Sequence, residues 1–208
     1  ALSGAATGLG YSKDVMVLLA TAQWLRNLGY RAVPSLNDTA LAIPLAIQAG
    51  LGEYGRHGLV ITPEFGPRVR FGKIFTDAPL HHDSPSRFGV TEFCESCRRC
   101  TEACPPGAIT DGSPTSVKLN RSTIGGVRKW TTDGEKCFSY WAQIVSDCMI
   151  CIRVCPYNKN FSKWHNRLGR RLAATRLRRM MGWLHDRLGY GRRLRPRDWW
   201  EGATRRRT

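Results

Sequence analysis

Eight cysteines set the strongest limit on how this chain folds. Four stand in "FCESCRRCTEACPPGAI", residues 93–109, spaced Cys94-x2-Cys97-x2-Cys100-x3-Cys104-Pro. The others follow as Cys137-x10-Cys148-x2-Cys151-x3-Cys155-Pro, so Cys-x2-Cys-x3-Cys-Pro recurs as an internal repeat. Thiols this close on a tight turn all face one small object and make poor structural disulfides. The backbone between about residues 86 and 160 must therefore wrap around something the thiols hold.

A run of three closely spaced cysteines, with a fourth before proline, is the pattern of bacterial two-cluster iron–sulfur proteins, in which the fourth cysteine crosses to the other cluster. Applied here, Cys94, Cys97, Cys100 and Cys155 hold one [4Fe–4S] cluster, and Cys104, Cys137, Cys148 and Cys151 hold the second. The alternative is a pair of four-cysteine zinc sites. Two features weigh against it: the three-plus-one spacing, and Pro105 and Pro156 directly after each final cysteine. All eight thiols are consumed, which leaves none for disulfides and implies reducing or low-oxygen conditions.

A two-cluster electron carrier needs only that module, yet some ninety residues precede it. Ser12 reads as the cap of a helix with Val15, Leu18, Leu19, Ala22 and Leu25 on its buried face, stopped at Gly29. "RAVPSLND" reads as a short strand running into a loop, and Thr39 to Gln48 as an apolar helix disturbed by Pro44. "HGLVIT" and "RVRFGKIF" read as two strands joined by the turn from Pro63 to Pro67. With 208 residues and 42% apolar composition the chain supports one substantial core or two small ones. No apolar run approaches the roughly 20 residues needed to cross a bilayer. The start, "ALSGAATGLG", reads as mid-protein, so a preceding portion with any export signal is expected upstream.

The formal charge of +16 is unevenly placed: residues 166–208 hold fourteen arginines against Asp186, Asp198 and Glu201, which is +11 of the total. Leu168, Leu172, Met180, Met181, Leu184 and Leu188 predict one amphipathic helix there, loaded with Arg on its other face and packed on the body of the protein. "GYGRRLRPRDWWEG" then trails off. Such a segment also suits a membrane surface or another anionic partner. Neither a Gly-x-Gly-x-x-Gly after a strand nor a Walker loop is present.

Four stretches together, "AGLGEYGRHGLVITPEFGPRVRFGKIFTDAPL", "FGVTEFCESCRRCTEACPPGAI", "KWTTDGEKCFSYW" and "CMICIRVCPYNK", resemble the C-terminal half of the cobalamin-dependent reductive dehalogenases, from about residue 8 to residue 160. The resemblance implies an α+β fold. Residues 1–85 would be part of a nitroreductase-like α/β cobalamin-binding catalytic domain, residues 86–160 a ferredoxin-like module with two [4Fe–4S] clusters, and residues 161–208 a basic amphipathic helix and tail. It also implies replacement of carbon–halogen by carbon–hydrogen in a small organohalide, at a base-off corrinoid fed by the clusters. No Asp-x-His-x-x-Gly motif is present, in keeping with a corrinoid whose lower face has no histidine ligand.

The family's proton-donating Tyr, with its Asn and Arg neighbours, maps to Tyr11 in "GLGYSKD", Asn37 in "PSLNDTA" and Arg70 in "GPRVRFG". A phenol protonates a carbanion-like carbon if its anion is stabilised, and a permanently charged guanidinium beside it does that. Trp141 matches an aromatic of the substrate pocket, and Asp147 stands where some relatives carry Tyr. Backbone groups of "PSLND" and "GLGEYGRHG" are expected to wrap the corrinoid. The electron donor is expected to be a membrane anchor and quinol chain or a soluble ferredoxin- or flavodoxin-type reductant. Localisation is expected at the outer face of the cytoplasmic membrane for a respiratory type, with peripheral membrane association, and in the cytoplasm otherwise. The rival resemblance is epoxyqueuosine reductase, a tRNA-modifying enzyme with the same cofactors, which the Arg-rich tail would suit. That family uses an acidic proton donor, so the Tyr11, Asn37 and Arg70 trio favours dehalogenation and no nucleic acid is expected. A plain two-cluster electron carrier is the third reading.

Overall fold

The computed structural model describes residues 2–37 and 39–193. The first element, α1 (Leu2–Asn27), begins well upstream of Ser12. Ser12 is therefore no cap: inside the helix, its hydroxyl donates back to the Gly8 carbonyl at 3.0 Å. Leu18, Ala22 and Leu25 form the buried stripe, as their spacing requires, whereas Leu19 is exposed. That stripe covers a two-stranded antiparallel sheet of β1 (Ala32–Ser35) and β4 (Lys73–Thr76), in register from Ala32 opposite Thr76 to Ser35 opposite Lys73. Ala22, Leu25 and Ala32, with Ile74 and Ala78 against them, make a small core of their own.

Between these strands lie α2 (Ala42–Gln48), β2 (Glu53–Tyr54) and β3 (Val60–Ile61). Pro44 does not disturb α2, because it falls in the first turn, where the helix needs no N–H from it. The two strands expected to flank the Pro63–Pro67 turn do not pair with each other. β3 pairs with β2, and β4 reaches back to β1. Each strand finds the partner that covers its own apolar face, which local turn signals do not encode.

The cysteine module is built of short helices: α3 (Val90–Ser96), α4 (Arg99–Glu102), α5 (Gly134–Ile144) and α6 (Ile150–Arg153). The sequence repeat is a structural repeat. α4 and α6 are single turns at equivalent places, and the residues before them, Arg98 (φ −116°, ψ 7°) and Met149 (φ −122°, ψ 26°), share one conformation. Asp133 caps α5 by accepting from the backbone N–H groups of Glu135 and Lys136.

The single basic helix expected near the C-terminus is instead two, α7 (Trp164–Ala173) and α8 (Arg178–Arg187). The break follows from Thr175, whose hydroxyl donates to the Leu172 carbonyl and accepts from the Leu177 N–H, replacing helix hydrogen bonds with a local turn. The buried face also differs from the expected stripe. Ala173, Met181 and His185 face inward, while Leu168, Met180, Leu184 and Leu188 are exposed. The remaining tail, with its last arginines and "RPRDWWEG", lies outside the described residues. Among the described residues no helix is long and apolar enough to cross a membrane.

The main core joins Ile61, Val90, Phe93, Trp130, Tyr157, Phe161, Ala173 and Met181 to the side chains of Cys94, Cys97 and Cys155. Thiols are thus part of the interior, and residues from before and after the cysteine module, Ile61 on one side and Phe161, Ala173 and Met181 on the other, close over them.

Candidate functional site

Tyr11 projects from the first half of α1, Asn37 from the loop after β1, and Arg70 from the segment before β4. The pairing of β1 with β4 brings the loop and the segment to the same end of α1. Asn37 Nδ2 donates to the Tyr11 hydroxyl at 2.8 Å. The Arg70 guanidinium carbon lies 3.7 Å from the Tyr11 ring centroid, a close cation–π contact. Gly10 leaves room for it, since a Cβ there would stand 3.1 Å from Arg70 Nε. Lys73, on β4, donates to the Leu36 carbonyl and ties the Asn37 loop to the sheet. Tyr11 is half-buried, while Asn37 and Arg70 are exposed, so one side of the phenol faces an open surface.

All eight cysteines are free. Several of them are buried close to one another. Burial pushes the Cys94 thiol up to about 12, with the charges of Cys97 and Cys100 adding to it. Cys155, fully buried, is raised by desolvation and then by Cys94, Cys97 and Cys100. Cys137 is raised by burial and by Cys104 and Cys148. Cys151 goes up to about 12 through burial, then through Cys100 ahead of Cys148 and Cys137. Cys94 and Cys155 thus lie among Cys97 and Cys100, Cys137 beside Cys104 and Cys148, and Cys151 between Cys100 and the Cys148 and Cys137 pair, where α4 packs on α6. Thiols held like this resist ionisation on their own. A bound metal centre supplies the positive charge that makes them thiolates. Among the described residues no three His, Cys, Asp or Glu side chains converge tightly enough to grip one metal ion.

The groups differ in surroundings. Cys94, Cys97, Cys100 and Cys155 are buried, and Cys104, Cys137, Cys148 and Cys151 are only partly so. α1 reaches the loop that leads into Cys148: the Ser3 hydroxyl donates to the Asp147 carbonyl at 2.6 Å. Trp141 stands on α5 one turn beyond Cys137, half-buried, with its Nε1 shielded from water and unpartnered. It belongs to the surroundings of the second group and has no hydrogen bond to the trio.

Several residues that build the site carry no motif. Glu53 of β2 is buried and accepts from the N–H groups of Phe88, Val90 and Thr91, holding the start of the helix that carries Cys94. Arg56 is 2% exposed and donates to the carbonyls of Cys94, Thr110 and Gly112. The clustering of Glu53, Arg56 and His57 just before the apolar "LVI" is the one signal the sequence offers for Arg56.

Residues 93–158, which contain every cysteine, match the 4Fe-4S double cluster binding domain, and residues 1–80 match the reductive dehalogenase subunit. The module is thus a two-cluster iron–sulfur domain in a mixed helix and sheet fold. The chain is 39% identical to tetrachloroethene reductive dehalogenase of Sulfurospirillum multivorans over 95% of its own length and 40% of that protein's. It superimposes on the solved catabolic reductive dehalogenase NpRdhA with a TM-score of 0.73 at 31% identity, covering 83% of this chain and 25% of that one. It is also 31% identical to epoxyqueuosine reductase of Listeria monocytogenes, over 56% of this chain and 29% of that protein. The chain spans 40% of the first of these relatives, well under two thirds of its length. Identity is higher and coverage of this chain more complete for the dehalogenase of the two curated relatives. This chain belongs to the reductive dehalogenases.

Proposed function

We propose that the chain supplies the proton-donating face and the electron relay of a cobalamin-dependent enzyme that converts an organohalide and two electrons, with one proton, into the carbon–hydrogen product and a halide ion. The observation that carries this reading is the Tyr11 hydroxyl, held by Asn37 Nδ2 at 2.8 Å beneath a guanidinium 3.7 Å from its ring. When bound, the corrinoid supplies the electrons that break the carbon–halogen bond.

Because Asn37 donates to the Tyr11 oxygen, the phenol's own hydrogen is free to point at substrate. Tyr11 gives that proton to the carbon that loses halide. The resulting phenolate keeps the Asn37 hydrogen bond and lies against the Arg70 cation, so the charge is stabilised where it forms. The open side of the phenol is where substrate and corrinoid have room to sit, within the nitroreductase-like portion proposed for residues 1–85. Trp141 is proposed to line the pocket from the side of the second thiol group. Cys94, Cys97, Cys100 and Cys155 would hold one cluster, and Cys104, Cys137, Cys148 and Cys151 the other. The second group, tied to α1 through Ser3, is proposed as the nearer to the trio, and the buried group as its supplier. A ferredoxin-type reductant or a membrane quinol chain is the proposed external donor.

Tyr11→Phe in the full-length holoenzyme tests this. Proton donation by a positioned group contributes about 10²–10⁴-fold, so halide release should fall by that factor while iron and cobalamin content stay unchanged. Turnover at the wild-type rate would remove Tyr11 as the donor.

A further inference from the structure

Two cations stand beside the buried thiol group, Arg56 without a carboxylate partner and Arg99 with one. Arg56 is buried with no carboxylate in ion-pair reach among the described residues; its partners are three carbonyls and the face of Trp130, 4.8 Å from the ring centroid. A buried cation without a counter-charge is strongly unfavourable, so a negative group belongs beside it. Its Nε donates to the Cys94 carbonyl at 3.0 Å, which sets the guanidinium against the residue that leads the thiol group. The missing counter-charge is therefore on the thiol group itself.

Arg99, on α4, points Nη1 at Cys97 Sγ from 3.5 Å. It does not hold that pose alone. Nε donates to Asp186 Oδ1 at 2.9 Å, and Nη2 donates to the second Asp186 oxygen and to the Gly182 carbonyl at 2.8 Å. Both partners are on α8, so the C-terminal helix fixes the fork against the thiol. The guanidinium is planar and permanently charged, which makes its aim as important as its charge.

We propose that Arg56 and Arg99 set the reduction potential of the cluster held by Cys94, Cys97, Cys100 and Cys155, Arg56 as its buried counter-charge and Arg99 as a hydrogen-bond donor to Cys97 Sγ aimed by α8. This rests on the iron–sulfur relay proposed above. Reduction places one more electron on the cluster and moves no proton. A cation or N–H donor at the sulfur stabilises the more negative state and raises the potential. No arginine has a hydrogen bond to a thiol of the second group among those described, so the effect is selective.

The test is a potentiometric titration of the full-length holoenzyme, followed by electron paramagnetic resonance, with the signal lost in Cys94→Ser assigned to this cluster. Arg99→Leu should lower its reduced-to-oxidised ratio at the wild-type midpoint about tenfold, equivalent to ~59 mV for a one-electron couple. Arg99→Lys, which keeps the charge and loses the fork, should recover part of that shift, and the other cluster should not move. Arg56→Met should shift the same signal in the same direction. If it fails to fold, the Arg99 pair, reaching in from the protein's edge, still decides. Unmoved midpoints in both Arg99 variants, or an equal shift of both clusters, would overturn the proposal while leaving the relay intact. A wild-type enzyme without [4Fe–4S] signals would overturn the relay itself and this inference with it.

Discussion

The two halves of the cysteine repeat use the same spacing and the same single-turn helices, α4 and α6, yet their thiol groups live in different surroundings. Cys94, Cys97 and Cys155 pack with Phe93, Trp130, Tyr157 and Met181, in contact with aromatic rings and beneath the C-terminal helices. Cys104, Cys137, Cys148 and Cys151 are half-exposed and lie toward the end of α1. A local motif is enough to shape a ligand loop. What that loop's cluster does for the molecule depends on which other elements close over it. The first group is structural interior as well as a proposed relay, and the second is the one whose loop is tied to α1.

Removing one ligand from each group probes that difference most strongly. Cys94→Ser takes a buried side chain out of the main core and loses the cluster that holds the core together. It should cost on the order of 3–5 kcal/mol together with about half of the bound iron. Cys137→Ser should lose a similar share of iron but cost under about 2 kcal/mol, because α5 buries none of its residues fully. Iron analysis and denaturant unfolding of both variants check this, and equal destabilisation would erase the distinction.

The part of this that was legible in the sequence is the part encoded locally. The intervals among the eight cysteines fix which thiols share a turn, and they mark out the stretch that matches the double-cluster domain. The stripe of Leu18, Ala22 and Leu25 was legible for the same reason. Strand pairing was not: β1 and β4 are separated by two other strands and a helix, so nothing adjacent to "RVRFGKIF" tells it to seek Ala32–Ser35. The start of α1 was missed because Ser12 carries the chemistry of a cap and uses it inside the helix. The break between α7 and α8 hides in one Thr175 hydroxyl within an otherwise periodic run. Tyr11, Asn37 and Arg70 are ordinary residues one by one; only the family resemblance singled them out, and only the fold shows them in contact. Arg56 and Arg99 had no motif at all, since their roles come from partners far along the chain.

The docking of the C-terminal helices on the first group can be broken at Gly89. It has a left-handed backbone, φ +89°, and a Cβ there would lie 2.5 Å from the Ala174 Cα at the end of α7. Gly89→Ala combines that strain with a backbone clash and should cost about 2–3 kcal/mol. The spectrum of the first cluster should change and that of the second should stay as it was. A shift of both would mean that α7 and α8 do not act on the buried group alone.

Acid should also strike the buried side first. Burial lowers the His57 pKa from 6.5 to about 4 while its Nδ1 accepts from the Leu59 N–H. Between those values the unfolded chain binds a proton that the folded chain excludes. The stabilisation from keeping His57 neutral is therefore complete above pH 6.5 and is lost as pH falls toward 4. At ~1.4 kcal/mol per unit, the loss reaches about 2–3 kcal/mol by pH 4.5. Unfolding measured from pH 7 to 4.5 should steepen by roughly one proton in the wild type relative to His57→Gln. Parallel curves would remove His57 as the sensor.

The smallest effect belongs to the other group and tests its tie to the candidate catalytic half. The Ser3 hydroxyl donates to the Asp147 carbonyl at 2.6 Å, immediately before Cys148, and this contact links α1 to the loop between α5 and α6. Ser3→Ala leaves that carbonyl to other donors and removes two partly buried contacts, to the Asp147 carbonyl and, at 3.4 Å, to the Ser146 hydroxyl, of which the shorter is worth about 0.5–1.5 kcal/mol. Global stability should barely register it. The loop carrying Cys148 should loosen, so the second cluster's paramagnetic signal should broaden or shift while the first cluster's stays fixed, the reverse of Gly89→Ala. Because α1 also carries Tyr11, a modest fall in turnover with unchanged iron should accompany the shift. If instead Ser3→Ala moved the buried cluster and spared the exposed one, the order proposed here, buried group supplying and half-exposed group delivering, would have to be reversed.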